Sequence, residues 1–434
     1  MPIHGQIWWM RGYLAAAGLL FVLCNAAHIA GIFDPAVMAR RAGIASTAEE
    51  LETRTQAVAQ EDNAVTYLLR ADEKMESRTI IVAGDADWPC YPAPLSPVLL
   101  AAFERLSNDM APAIEEIRKA VQAPRAQFPW YFGKELIAVE DCQKVLSQLL
   151  YGQTASARTQ DAVETLELMA GIARMLGDST ENPWQYHSYL YALERGWNSA
   201  RLRLTLDDAA LQRIGAAFEA IGVPSPGCSL EVDRIREYHS DASYALSGGS
   251  HWLRELVARW LVTGPALEGM NVDAIALAKA GVEPHVFEDI MPTIVTHGAA
   301  VEGIIFPFVR GYWSYGWARE NVSTLKRNTI RVKALTISVA LERYKRAYGG
   351  YPESLDAIVP EYLEAIPNDS ASGHALLSYW RMENGYALFN PGPNGRQNVD
   401  RANLWSPFRK GDDDDFLFVV PEPEHGSCGP RASR

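Results

Sequence analysis

Apolar residues recur at intervals of three and four along most of this chain, and that period predicts a mainly helical protein. Over 161–176, Ala162, Leu166, Leu168, Met169, Ile172 and Met175 fall on one helix face. The segment 143–150 has the same spacing. Gly177-Asp178 reads as punctuation, and Pro183-Trp184 then opens a helix that runs to about Leu204. A further helix over 207–221 is expected to stop at Gly222-Val223-Pro224. The segment 45–78 reads as a polar helix, 84–97 as a Pro- and Asp-rich loop, and 252–261 and 272–280 as amphipathic helices. Short turns between successive helices imply antiparallel neighbours, hence a bundle or short array. No strict period survives, so no repeat is assigned.

The period changes near the C-terminus. A long helix is predicted over 323–348, with Leu325, Ile330, Val332, Leu335, Ile337, Val339, Leu341 and Tyr344 supplying core contacts. Tyr348-Gly349-Gly350-Tyr351-Pro352 ends it, because glycine permits a left-handed cap and proline forbids continuation. A short helix or turn follows over 355–363. Strands are expected near 376–380, 386–389 and 416–420, forming a small antiparallel sheet. The predicted fold is therefore a helical bundle or array followed by a small α+β domain, a long helix plus a three-stranded sheet. The division is 1–35 as membrane anchor or signal segment, 36–320 as helical body, 321–421 as the α+β domain and 422–434 as a disordered tail.

The segment 13–32 is almost wholly apolar and about long enough to cross a bilayer core. Trp8 and Trp9 stand just before it, where interfacial aromatics belong. An uncleaved signal anchor is the leading reading; a cleaved signal peptide and a buried helix are the alternatives. Arg11 before the segment and Arg40 and Arg41 after it nearly balance the positive-inside rule. No other apolar run is long enough to span, which excludes a multi-span transporter. Phe306, Phe308, Tyr312, Trp313, Tyr315 and Trp317 form an aromatic patch, read either as packing between body and C-terminal domain or as a membrane- or partner-facing surface.

Charge and cysteine content narrow the classes. The chain has 434 residues, 48% of them hydrophobic, and a formal net charge of -13, without any Lys/Arg-rich block. Nucleic-acid binding needs a basic footprint and is excluded as a partner class. Cys24, Cys90, Cys142, Cys228 and Cys428 lie far apart with no zinc-type pair. In an exported body the last four allow two disulfides of undetermined pairing; buried free thiols are the alternative.

Residues 331–420 carry a resemblance. Ala340-Leu341-Glu342-Arg343-Tyr344, the Tyr-Gly-Gly-Tyr-Pro stop, Ile366-Pro367-Asn368-Asp369, the paired strands and Gly392-Pro393-Asn394-Gly395 occur in order. That order resembles the globular part of the type II secretion major pseudopilin. It also resembles the tail of large envelope-anchored proteins of planctomycetes and verrucomicrobia, in which an Asn-Ala-x-x-Tyr element like Asn63-Ala64-Val65-Thr66-Tyr67 recurs after the anchor. The resemblance implies an extracytoplasmic body and a long helix on three short strands. The anchor lies far upstream and the pseudopilin processing site is missing, so assembly as a pilus subunit is not expected. Pseudopilin domains commonly hold calcium in the last loop, which would draw here on Asn394, Asp400 and Asp412. Asn394 stands where Asp is usual and Arg396 intrudes, while an acidic run such as 412–415 is more often a solvated turn. No cofactor is assigned.

Catalytic arrangements are weak throughout. Ser250-His251 lacks a Gly-x-Ser-x-Gly frame and reads as a helix cap, and nothing fixes a triad from His239-Ser240-Asp241. His285 and Glu288 share a helix face without a third ligand; Glu115/Glu116 and Asp233/Glu237 are ordinary helical pairs. No catalytic residue is assigned. The expected role is non-catalytic binding or scaffolding by a membrane-anchored, periplasmic envelope protein with protein partners. The alternatives are an accessory of a type II secretion or pilus-like system and an envelope hydrolase.

Overall fold

The computed structural model describes residues 45, 50, 58–75, 97–128, 133–179, 183–222, 312–367, 377–383, 385–390 and 416–420. Val58–Pro224 and Thr324–Arg434 form one compact unit; Met1–Ala57 and Ser225–Ser323 form another. The described residues are mostly helical, with seven helices and a small antiparallel sheet. The helices are α1 Ala64–Met75, α2 Pro97–Gln122, α3 Lys134–Ala155, α4 Thr159–Ser179, α5 Pro183–Arg203, α6 Asp208–Glu219 and α7 Tyr312–Tyr348.

Helix α4 is the centre of the array, touching α2, α3, α5 and α6. The six apolar positions expected on one face are all buried, but so are Val163, Thr165, Ala170 and Ala173. A helix apolar on nearly every side is one surrounded by protein. Gly177 does not end α4, which runs on to Ser179. Instead, a Cβ at Gly177 would overlap the carbonyl oxygen of Gly222, so this glycine permits a close approach of the chain after α6. Helix α5 opens at Pro183, whose missing N–H is no loss at a helix start. Helix α6 opens on Asp207, whose carboxylate accepts from the Ala210 N–H at 2.7 Å.

Helix α7 begins at Tyr312, ahead of the predicted start at Ser323, so the backbone of Tyr312, Trp313, Tyr315 and Trp317 is helical. Leu325, Ile330, Val332, Leu335, Ile337, Val339 and Leu341 are buried as expected, and Tyr344 packs at the core's edge. The stop is also as expected: Gly349 has φ +78° and its N–H reaches the Lys345 carbonyl at 2.7 Å. A single 3-10 turn, Leu355–Ile358, buries both its end residues. Strands β1 Ser378–Arg381 and β2 Tyr386–Asn390 pair antiparallel, with Tyr379 opposite Leu388. The Tyr379 hydroxyl donates to the Pro352 carbonyl at 2.7 Å and ties the hairpin to the turn after α7.

The predicted segments 13–32, 84–96, 252–261 and 272–280, with Phe306 and Phe308, lie outside the described residues. No helix among the described residues is long and apolar enough to cross a membrane.

Candidate functional site

The most concentrated polar chemistry in the described residues lies where α5 meets α7. His187, Tyr191, Glu194, Trp197 and Arg201 recur every three or four residues and so line one stripe of α5. Asn328, Arg331, Ser338 and Glu342, at steps of three, seven and four, line one stripe of α7. The pairs His187–Asn328, Trp197–Ser338 and Arg201–Glu342 are each separated by 141 residues. A constant offset means that both helices climb in the same direction. The seam is a ladder between parallel helices.

At its first end, the Arg331 Nε donates to Glu194 Oε2 at 2.6 Å, and both side chains are nearly buried. Arg331 Nη1 lies 3.2 Å from His187 Nδ1, which is itself 2.8 Å from Asn328 Oδ1. The guanidinium also sits 5.5 Å from the centre of the Tyr191 ring, with Arg195 at 5.8 Å. Burial holds His187 below the ordinary histidine range, Arg331 and Arg327 push it the same way, and the bond to Asn328 offsets part of that fall. Burial raises Glu194, and Arg331 offsets part of that rise.

The middle rung is neutral. Trp197 Nε1 donates to Ser338 Oγ at 2.7 Å, and that hydroxyl in turn donates to the Leu335 carbonyl at 2.7 Å. The Trp197 ring meets Phe218 of α6 edge-on at 5.9 Å.

At the far end, Arg201 Nη1 reaches Glu342 Oε1 at 3.3 Å and Nε donates to Asn198 Oδ1 at 2.9 Å. Glu342 Oε1 also accepts from the Tyr351 hydroxyl at 2.8 Å, and Lys345 Nζ donates to that hydroxyl at 3.3 Å. Arg201 lies 5.9 Å above the Tyr386 ring, so the rung joins the helices to the hairpin. Burial pushes the Tyr351 and Tyr386 phenols well above their ordinary range. Below it, Arg343 binds Asp208 at 2.9 Å and Arg346 donates to the Leu206 carbonyl at 2.7 Å.

Chemically, this arrangement holds register. Glu194 and His187 both face Arg331, so the nearly buried acid and the half-buried base engage a shared cation within the protein.

The residues weighed from the sequence fall elsewhere. Glu115 and Glu116 lie on α2 in separate pairs: Glu115 with Arg118 at 3.0 Å, Glu116 with Lys74 at 2.6 Å and Lys119 at 3.1 Å. The hydrogen bond from Lys74 holds the Glu116 carboxyl below its ordinary range. Asn63 caps α1: its Oδ1 accepts from the Val65 N–H at 3.1 Å and the Gln127 N–H at 3.0 Å. Tyr67 of the same element donates to the Glu61 carbonyl at 2.9 Å. Cys142 is a buried free thiol inside α3, in line with the free-thiol alternative, and Cys90, Cys228 and Cys428 lie outside the described residues. Ser250, His251, His239, Ser240, Asp241, His285, Glu288, Asp233, Glu237, Asn394, Asp400 and Asp412 lie outside the described residues. Among the described residues, no group of three or more His, Cys, Asp or Glu is placed to hold a metal ion.

The seam itself was not anticipated. Its signal was present as a polar stripe, Asn328, Arg331, Ser338 and Glu342, running beside the apolar positions of α7. No protein-family model, no curated protein and no solved structure matches this chain.

Proposed function

We propose that this chain is a membrane-anchored protein of the cell envelope whose extracytoplasmic helical body binds and positions other envelope proteins without catalysing a reaction. The observation that carries this reading is the α5–α7 seam. Its buried ionic groups pair with one another across two parallel helices, an arrangement suited to holding a rigid surface. The apolar segment 13–32, with Trp8 and Trp9 at its edge, supports the anchor.

The C-terminal elements are proposed as a pseudopilin-like α+β domain in which Phe416–Val420 completes a three-stranded sheet. Its antiparallel register along Tyr386–Asn390, with Ala387 opposite Val419, supports that third strand. The sequence of long helix, glycine stop, proline turn and hairpin favours one second reading, an accessory of a type II secretion or pilus-like machine. That reading predicts co-purification with pseudopilins in mild detergent, and failure to recover any of them counts against it.

Topology is the first test. Ile137 on α3 is 57% exposed. With the native cysteines replaced, Ile137→Cys is expected to react with a small membrane-impermeant maleimide in intact cells. Labelling only after the inner membrane is opened overturns the extracytoplasmic placement.

A further inference from the structure

The two ionic ends of the seam are built differently. At the far end Arg201 and Glu342 are joined by phenols and an amide, none of which changes charge near neutral pH. At the first end a histidine stands 3.2 Å from a guanidinium. A guanidinium nitrogen only donates, so that contact is satisfied by an unprotonated Nδ1, whereas Asn328 Oδ1, 2.8 Å from the same nitrogen, accepts from a protonated one. Protonation of the ring places two like charges 3.2 Å apart in a half-buried site, and the bond to Asn328 offsets only part of that cost. Among the described residues, the charged groups facing His187 from α7 are Arg327 and Arg331, both cations. Arg331 also faces Glu194, and Arg201 adds its field to Glu194 from α5.

We propose that the His187–Arg331–Glu194 end of the seam is an acid-sensitive latch, which releases α7 from α5 locally while the Trp197–Ser338 and Arg201–Glu342 rungs stay closed. A stretch of α7 around Asn328 and Arg331 would then be loosened in mild acid and fastened at neutral pH.

The sign follows from which state takes up the proton. His187 is held below its ordinary value when the seam is closed, whereas a freed His187 titrates near about 6.5. Both states are neutral above that value. As pH falls through it the open state binds the proton first, and the closed state is disfavoured progressively until His187 protonates in place. Glu194 acts in the opposite sense. Its carboxyl is raised in the closed seam, so its protonation favours closure, over an interval that begins at that raised value and ends near about 4.3. Opening is therefore driven by His187, in the interval that starts near about pH 6.5 and ends where Glu194 takes up its own proton.

Hydrogen–deuterium exchange of the purified full chain in detergent, corrected for the intrinsic pH dependence of exchange, reads this directly. From about pH 7.5 to about pH 5.5, opening of amides in 325–332 is expected to rise by up to about tenfold, the limit set by proton uptake of a freed histidine over that interval. Opening of 335–342 is expected to change less than about threefold. His187→Gln, which cannot take the charge, is expected to hold 325–332 closed at both values; His187→Asn serves the same purpose if that variant folds poorly. Equal change in both segments, no change in either, or an undiminished response in the neutral variants overturns the latch.

Discussion

Trp197 donates its indole N–H to the Ser338 hydroxyl at 2.7 Å, and the two residues are 141 positions apart and wholly buried. The bond is the neutral centre of a seam with ionic rungs on either side. An indole can only donate, so it has no second use for its N–H once the hydroxyl is gone. Ser338→Ala is therefore expected to lower stability by about 1–3 kcal/mol, the cost of a stranded buried donor. Urea unfolding is the check: the midpoint should fall while the slope stays as in the wild type. An unchanged midpoint would mean that the indole finds another acceptor.

The Arg201–Glu342 rung makes a sharper prediction, because its value lies in the pairing. The Arg201 side chain is 1% exposed and that of Glu342 is 12% exposed. Arg201→Ala leaves a carboxylate nearly buried without its cation and is expected to cost about 3–5 kcal/mol. The double variant Arg201→Met/Glu342→Leu removes both charges with little loss of volume and should recover more than half of that loss. A double-mutant cycle by chemical denaturation measures it. Simple additivity of the two single variants would show that the pair is not coupled.

The sequence displayed some of this and concealed the rest. Periodicity placed α3 to α6 and the buried face of α7, and Gly349 with Pro352 placed the end of α7, because these signals are local. Ser338 and Asn328 were not recognisable as core residues. A buried hydroxyl or amide is acceptable only when its partner is known, and theirs stand far back in the chain on α5. Parallel packing was hidden for the same reason, since short turns announce antiparallel neighbours and α5 and α7 are not consecutive. Gly177 was misread as a stop. Glycine loosens a helix end, but it also admits a neighbouring backbone, and only the position of Gly222 distinguishes the two uses.

That glycine yields a test of its own. The Gly222 carbonyl is pinned by the Tyr186 hydroxyl, which donates to it at 2.6 Å. It cannot retreat from an added methyl group without giving up that bond. Gly177→Ala should thus destabilise by about 1–3 kcal/mol, even though alanine is the better helix former by about 1 kcal/mol. Gly350→Ala is the control, since the nearest atom to its added Cβ is the tip of Arg381 at 4.0 Å, and its effect should stay within about 0.5 kcal/mol. Thermal unfolding of the two variants side by side separates steric overlap from the general effect of replacing glycine.

Cys142 provides a reporter of the array as a whole. It is fully buried in α3, among Val139, Val145 and Leu146 of the same core, and it is not bonded to another cysteine. Burial pushes its thiol above the ordinary range, and Asp72 and Asp141 push it further. A thiol reacts as the thiolate and only where reagent can reach it, so both factors protect this residue. In the native protein, labelling of Cys142 by a soluble disulfide reagent at neutral pH is expected to be more than about a hundredfold slower than in urea. Its rate should rise along the same urea curve as the loss of helical signal, because α3 cannot open alone while it packs on α1, α2, α4 and α5. Peptide mapping distinguishes Cys142 from the other four cysteines. Rapid labelling without denaturant would place α3 at a surface and dissolve the core on which the seam is built.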